Sequence, residues 1–151
     1  MKKKLTTAGL VIGLAASLTG PATQAADKQE VCSYYGNVGA AAIDFLMPLT
    51  FAEVVEMVSG KNKDLLERMS KAVERKGSAD VKKAIRSMGD GSLELMGEAA
   101  GLHGFQLVMT GQATDGQEVF GMLASRCMEA GPDAIIEAQR RARALQAPDN
   151  N

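Results

Sequence analysis

From residue 27 onward, apolar side chains recur three and four positions apart, and no stretch alternates convincingly at period two. That spacing predicts amphipathic helices rather than strands. Asp27 with Glu30 reads as a capping box opening the first helix. Along that helix Cys32, Tyr35, Gly39, Ala42, Ile43 and Leu46 share one face until Pro48 ends it. Thr50 with Glu53 repeats the box for a short second helix, with Leu49 and Val54 spaced as a hydrophobic staple and Gly60 as the stop. A third helix follows Asn62 and carries Leu65, Leu66, Met69, Ala72 and Val73. Ser78 caps a fourth, whose apolar side is Val81, Ala84, Ile85 and Met88.

The turn Gly89-Asp90-Gly91-Ser92 leads to a fifth helix over residues 93–109. Thr114 with Gln117 is the expected cap of the sixth, on which Phe120, Leu123 and Cys127 share a face. Gly131-Pro132 ends it, and Asp133 is expected to start a last helix that buries Ile135 and Ile136. The sum is an all-α, single-domain bundle of about six to seven short helices over residues 26–138. Residues 139–151, with Arg140, Arg141 and Arg143 before a polar end, read as a partly disordered tail.

Residues 1–25 break this pattern. Lys2, Lys3 and Lys4 precede a short apolar run over residues 9–18, Pro21 interrupts the helix, and Thr23-Gln24-Ala25 places small residues where a signal peptidase reads. The run is well short of the roughly 20 apolar residues that span a bilayer, and no later run reaches that length. The expectation is cleavage after Ala25 and a periplasmic or secreted protein. The chain from Ala26 then has 14 Lys and Arg against 18 Asp and Glu, a formal charge of −4. Such a balance gives no overall pull toward nucleic acid.

That compartment gives the two cysteines a meaning. In an oxidising space the lone pair Cys32 and Cys127 is expected to form a structural disulfide between the first and penultimate helices, whereas nothing resembles a Cys-x-x-Cys redox or haem motif. Closing a loop of about 95 residues adds roughly 4–5 kcal/mol in the chain-entropy model.

Charge is unevenly spread. Residues 61–86 hold nine basic and four acidic side chains, and residues 87–138 one Arg against eight carboxylates. Lys71, Arg75, Lys82, Lys83 and Arg86 therefore form a candidate surface for an anionic partner. The plainer reading is a solvated helix pair laced by Asp64–Arg68 and Glu67–Lys71 at i,i+4. The fifth helix tolerates Gly97, Gly101 and Gly104, each costing nearly 1 kcal/mol against Ala in an exposed helix interior. With Ala100 they make a strip that suits either a close helix crossing against Gly36, Gly39 and Ala40 or space for a ligand beside His103.

Catalytic signals are sparse. His103 is the single histidine, which excludes multi-histidine metal sites and reads as a partly buried structural residue, with a ligand or pH-sensing role as the alternative. Asp44 interrupts an apolar stretch and is the carboxylate to follow. The methionines never fall three or four apart, so core filling is expected rather than a Cu(I) site. No phosphate loop, nucleophile elbow or dinucleotide fingerprint is present. The expectation is a non-enzymatic helical interaction protein with a periplasmic protein partner and no cofactor, its oligomeric state open. The alternatives are a carrier of a small apolar ligand between helices and an enzyme built around His103.

Overall fold

Pro21 opens the first helix instead of breaking it. The structure, a computed structural model, describes residues 21–146, and α1 spans Pro21–Leu46. A proline in the first turn loses no intrahelical hydrogen bond, because the N–H it lacks would have no partner there. Asp27, expected as the cap, is therefore interior to the helix. Residues 1–20 of the expected leader, and residues 147–151 of the expected tail, lie outside the described residues.

Six further helices follow among the described residues, with no strand. α2 (Phe51–Val58) starts on the expected capping box, with Glu53 N–H donating to Thr50 Oγ1 at 3.3 Å and Thr50 N–H donating to Glu53 Oε2 at 2.8 Å. Asn62 caps α3 (Lys63–Glu74) and Ser78 caps α4 (Ala79–Arg86), each by accepting a backbone N–H. α5 (Ser92–Met109) follows Gly91, whose φ of 69° belongs to the left-handed region that glycine adopts without strain. α6 (Gly116–Ala130) is capped by Asp115, one residue later than expected. Thr114 instead donates its N–H and hydroxyl to Glu118 Oε2, at 2.7 and 2.9 Å. α7 (Pro132–Gln146) begins at Pro132 and runs past the expected boundary at residue 138, because Ala, Arg, Leu and Gln are all strong helix formers.

α1 is the axis of the bundle: α3, α4, α5, α6 and α7 all pack on it. Its burial therefore extends beyond the single expected face, taking in Val31, Tyr34, Val38 and Ala41 as well as Cys32, Tyr35, Ala42 and Ile43. A helix apolar nearly all round is a core helix. Ile85, Met96, Leu107, Leu123 and Ile136 close the core from α4, α5, α6 and α7. The Cys32–Cys127 disulfide ties α1 to α6, the penultimate helix, with both residues fully buried and Cα atoms 5.3 Å apart. The methionines divide: Met57 and Met96 fill the core as expected, whereas Met47, Met109, Met122 and Met128 are exposed.

Candidate functional site

A helix advances about 100° per residue, so α5 can be divided by angle. Met96, Ala99, Ala100, Gly104 and Leu107 fall on one half and are buried, whereas Gly97, Glu98, Gly101, Leu102 and Phe105 fall on the other. The expected glycine strip is split by this division. Gly104 belongs to a close crossing with α1: a Cβ there would lie 3.2 Å from Val119 Cγ1 and 3.3 Å from the Gly39 carbonyl oxygen, and one at Gly39 would lie 3.0 Å from the Ala100 oxygen. Gly36 serves a different neighbour, since its Cβ would meet the Phe120 backbone oxygen of α6 at 2.8 Å. Around Gly97 and Gly101 a Cβ meets nothing within 4 Å. These two are not needed for packing within the chain.

What they border is a groove of about 800 Å³ whose walls come from α1, α2, α3, α5 and α7. Val38, Ala42 and Leu46 form its floor, Val54, Met57 and Val58 one wall, Met69 and Val73 another, and Leu102 and Phe105 flank the glycines. Val58 and Leu102 are 77% and 58% exposed, so the groove opens to solvent. Polar groups are confined mainly to one rim, where Arg143 pairs with Glu98 and Gln139 Nε2 donates to Glu98 Oε2 at 3.4 Å. Arg143 and Gln146 reach this rim because α7 continues beyond residue 138. From sequence Ala42, Leu46, Val54, Met69 and Val73 read as packing positions and Arg143 as part of the tail, and none of the groove residues outside the glycines read as part of a site. Their signal was faint but present, since Leu102 and Phe105 lie off the main apolar stripe of α5, beside Glu98.

His103 lies on the buried half of α5, and its Nδ1 shares a hydrogen bond with the Tyr35 hydroxyl of α1. The rings meet edge to face, with centroids 6.2 Å apart. Burial lowers the His103 pKa below its usual value, and the Arg126 guanidinium lowers it further. Burial likewise pushes the Tyr35 phenol far above its ordinary range, so the hydroxyl keeps its proton. Arg126 itself donates to Gln112 Oε1 at 3.0 Å. Neither Tyr35 nor His103 lines the groove or a smaller hollow of about 430 Å³ between α1 and the Gly77 turn. His103 is thus half-buried, and it does not line the groove that Gly97 and Gly101 border.

The basic candidates lie elsewhere, on α3 and α4. Lys71 pairs with Glu67 at 2.6 Å and Arg68 with Asp64 at 3.8 Å, as their spacing foretold. Lys82 donates to the Glu74 carbonyl, whereas Arg75, Lys83 and Arg86 are exposed and take part in no ion pair among the described residues. Asp44 is exposed, and its carboxylate sits against Gly116 at the start of α6, where a helix N-terminus favours negative charge. Among the described residues no three His, Cys, Asp or Glu side chains gather as a metal site. No family model matches the chain, and neither a curated protein nor a solved structure matches it.

Proposed function

We propose that the chain is an exported, non-enzymatic interaction protein that seats an apolar segment of a periplasmic protein partner in the groove beside Gly97 and Gly101. One observation carries this reading. Two glycines that weaken α5 have no neighbour to make room for, yet they border a mainly apolar hollow. Helix-in-groove recognition uses such a trough, apolar at its base and polar at its rim. The setting of His103 supports the non-enzymatic reading, because its Nδ1 is already occupied by Tyr35 and the pair borders neither hollow.

Gly97→Leu with Gly101→Leu tests the seat, since both side chains enter open space and leucine is a good helix former. The doubly substituted protein is expected to fold and to lose the partner recovered from wild-type cells by crosslinking and affinity purification. Retention of that partner overturns the proposal. Export is tested separately by N-terminal sequencing of the protein recovered from the periplasm or medium, which is expected to start at Ala26.

The groove's size favours a second reading, because about 800 Å³ falls within the range of small-ligand sites. Native mass spectrometry of freshly purified protein separates the two: an added small-molecule mass supports a carrier, and the apo mass alone counts against one.

A further inference from the structure

α2 leaves an apolar face uncovered. Phe51, Val55 and Val58, at i, i+4 and i+7, are 85%, 48% and 77% exposed, while Met57 on the opposite side of the helix is buried. Met47 before the helix and Leu66 on α3 are exposed as well, and Phe51 and Val55 line neither hollow. Large contiguous exposed apolar surface on a soluble fold marks a site of contact with protein or membrane.

The stretch of chain that follows α2 carries the positive charge. Residues 61–86 hold nine basic and four acidic side chains, so the remainder of the chain from Ala26 is net −9. Asp64 and Glu67 are engaged by Arg68 and Lys71. Lys61, Lys63, Arg75, Lys76, Lys83 and Arg86 are exposed and take part in no ion pair among the described residues. Lys61 and Lys63 follow α2 directly in the chain, and exposed apolar side chains with unengaged cations are the two components of peripheral attachment to anionic lipid, where the first enter the boundary between headgroups and acyl chains and the second face the phosphates.

We propose that α2 and the basic α3–α4 pair dock the protein on an anionic phospholipid surface. The charge asymmetry orients the molecule, since the acidic remainder is repelled by the surface that attracts α3 and α4. The attachment is peripheral: among the described residues no helix is long and apolar enough to cross a membrane. A stripe of three side chains on an eight-residue helix gives reversible binding that depends on the cations and is therefore screened by salt.

Cosedimentation of the purified protein with vesicles tests this. Binding is expected to phosphatidylcholine vesicles containing about one-third phosphatidylglycerol at roughly 0.05 M salt, to be much weaker to phosphatidylcholine alone, and to disappear near 0.5 M salt. Phe51→Ser with Val55→Ser is expected to reduce it several-fold, and Arg75→Gln with Lys83→Gln roughly tenfold. All four positions are exposed, so circular dichroism should be unchanged. Gly97→Leu with Gly101→Leu is expected to bind vesicles like wild type, so loss of the groove's occupant and loss of the membrane face are read independently. Absent or equal binding to the two vesicle types overturns the proposal. So does binding that survives both exposed-face variants, or a Phe51 stripe that crosslinks to a protein while vesicles are not bound.

Discussion

The Tyr35 hydroxyl and Nδ1 of His103 share a hydrogen bond across the α1–α5 interface, joining residues 68 apart in sequence. Burial, and after it the Arg126 guanidinium, favours the neutral imidazole. Unfolding releases His103 to its usual value of about 6.5, so the unfolded chain takes up this proton first as pH falls. The contribution of His103 to stability is thus full above about pH 6.5 and is lost as pH drops through its lower folded value. His103 is only half-buried, which keeps the effect small. His103→Gln is expected to flatten the dependence of the melting temperature on pH between about 7.5 and 5, by an amount on the order of 2 °C. Parallel curves for the two proteins contradict the assignment.

The disulfide closes a loop of 95 residues. Cys32→Ala is expected to lower stability by about 4 kcal/mol, less whatever strain the native bridge holds, as read from urea unfolding. Cys127 is fully buried, so the freed thiol should react with a thiol reagent only as fast as the fold opens. Full and immediate reaction in native wild-type protein would show that the bridge is absent.

The five glycines of the α1–α5 region separate by environment. Gly97→Ala and Gly101→Ala each add a side chain to open space and should stabilise the protein by about 0.5–1 kcal/mol through helix propensity. Gly36→Ala must displace the Phe120 backbone, and Gly39→Ala must displace Leu123 and crowd the Ala100 carbonyl, so each should destabilise by about 1–3 kcal/mol. Gly104→Ala falls between, against the side chains of Val119 and Ile43 and the Gly39 carbonyl. Equal effects at Gly97 and Gly39, measured by chemical denaturation, would refute the division of α5 into a packed half and an open half.

Local features were the ones legible in the sequence. The caps at Thr50, Asn62 and Ser78 depend on three or four adjacent residues, and the Cys32–Cys127 pair had no competitor. Thr114 and Asp115 each stand three residues before a Gln or Glu, so the choice of Asp115 rests on details of turn geometry that spacing does not carry. The central place of α1 was hidden because a pattern of threes and fours locates one buried face and says little about a helix enclosed by five others. The groove was hidden for a related reason. It exists only where α1, α2, α3, α5 and α7 meet, and its glycines look from sequence like the seam beside them until the neighbours of each are known.

The groove as a protein's seat is tested most directly by a photo-crosslinking amino acid in place of Leu102, which lines it and is exposed. Irradiation of intact cells should yield one discrete protein adduct, and the same adduct should vanish when Gly97→Leu and Gly101→Leu fill the space beside it. No adduct from position 102, or an adduct that persists in the filled groove, would contradict the account.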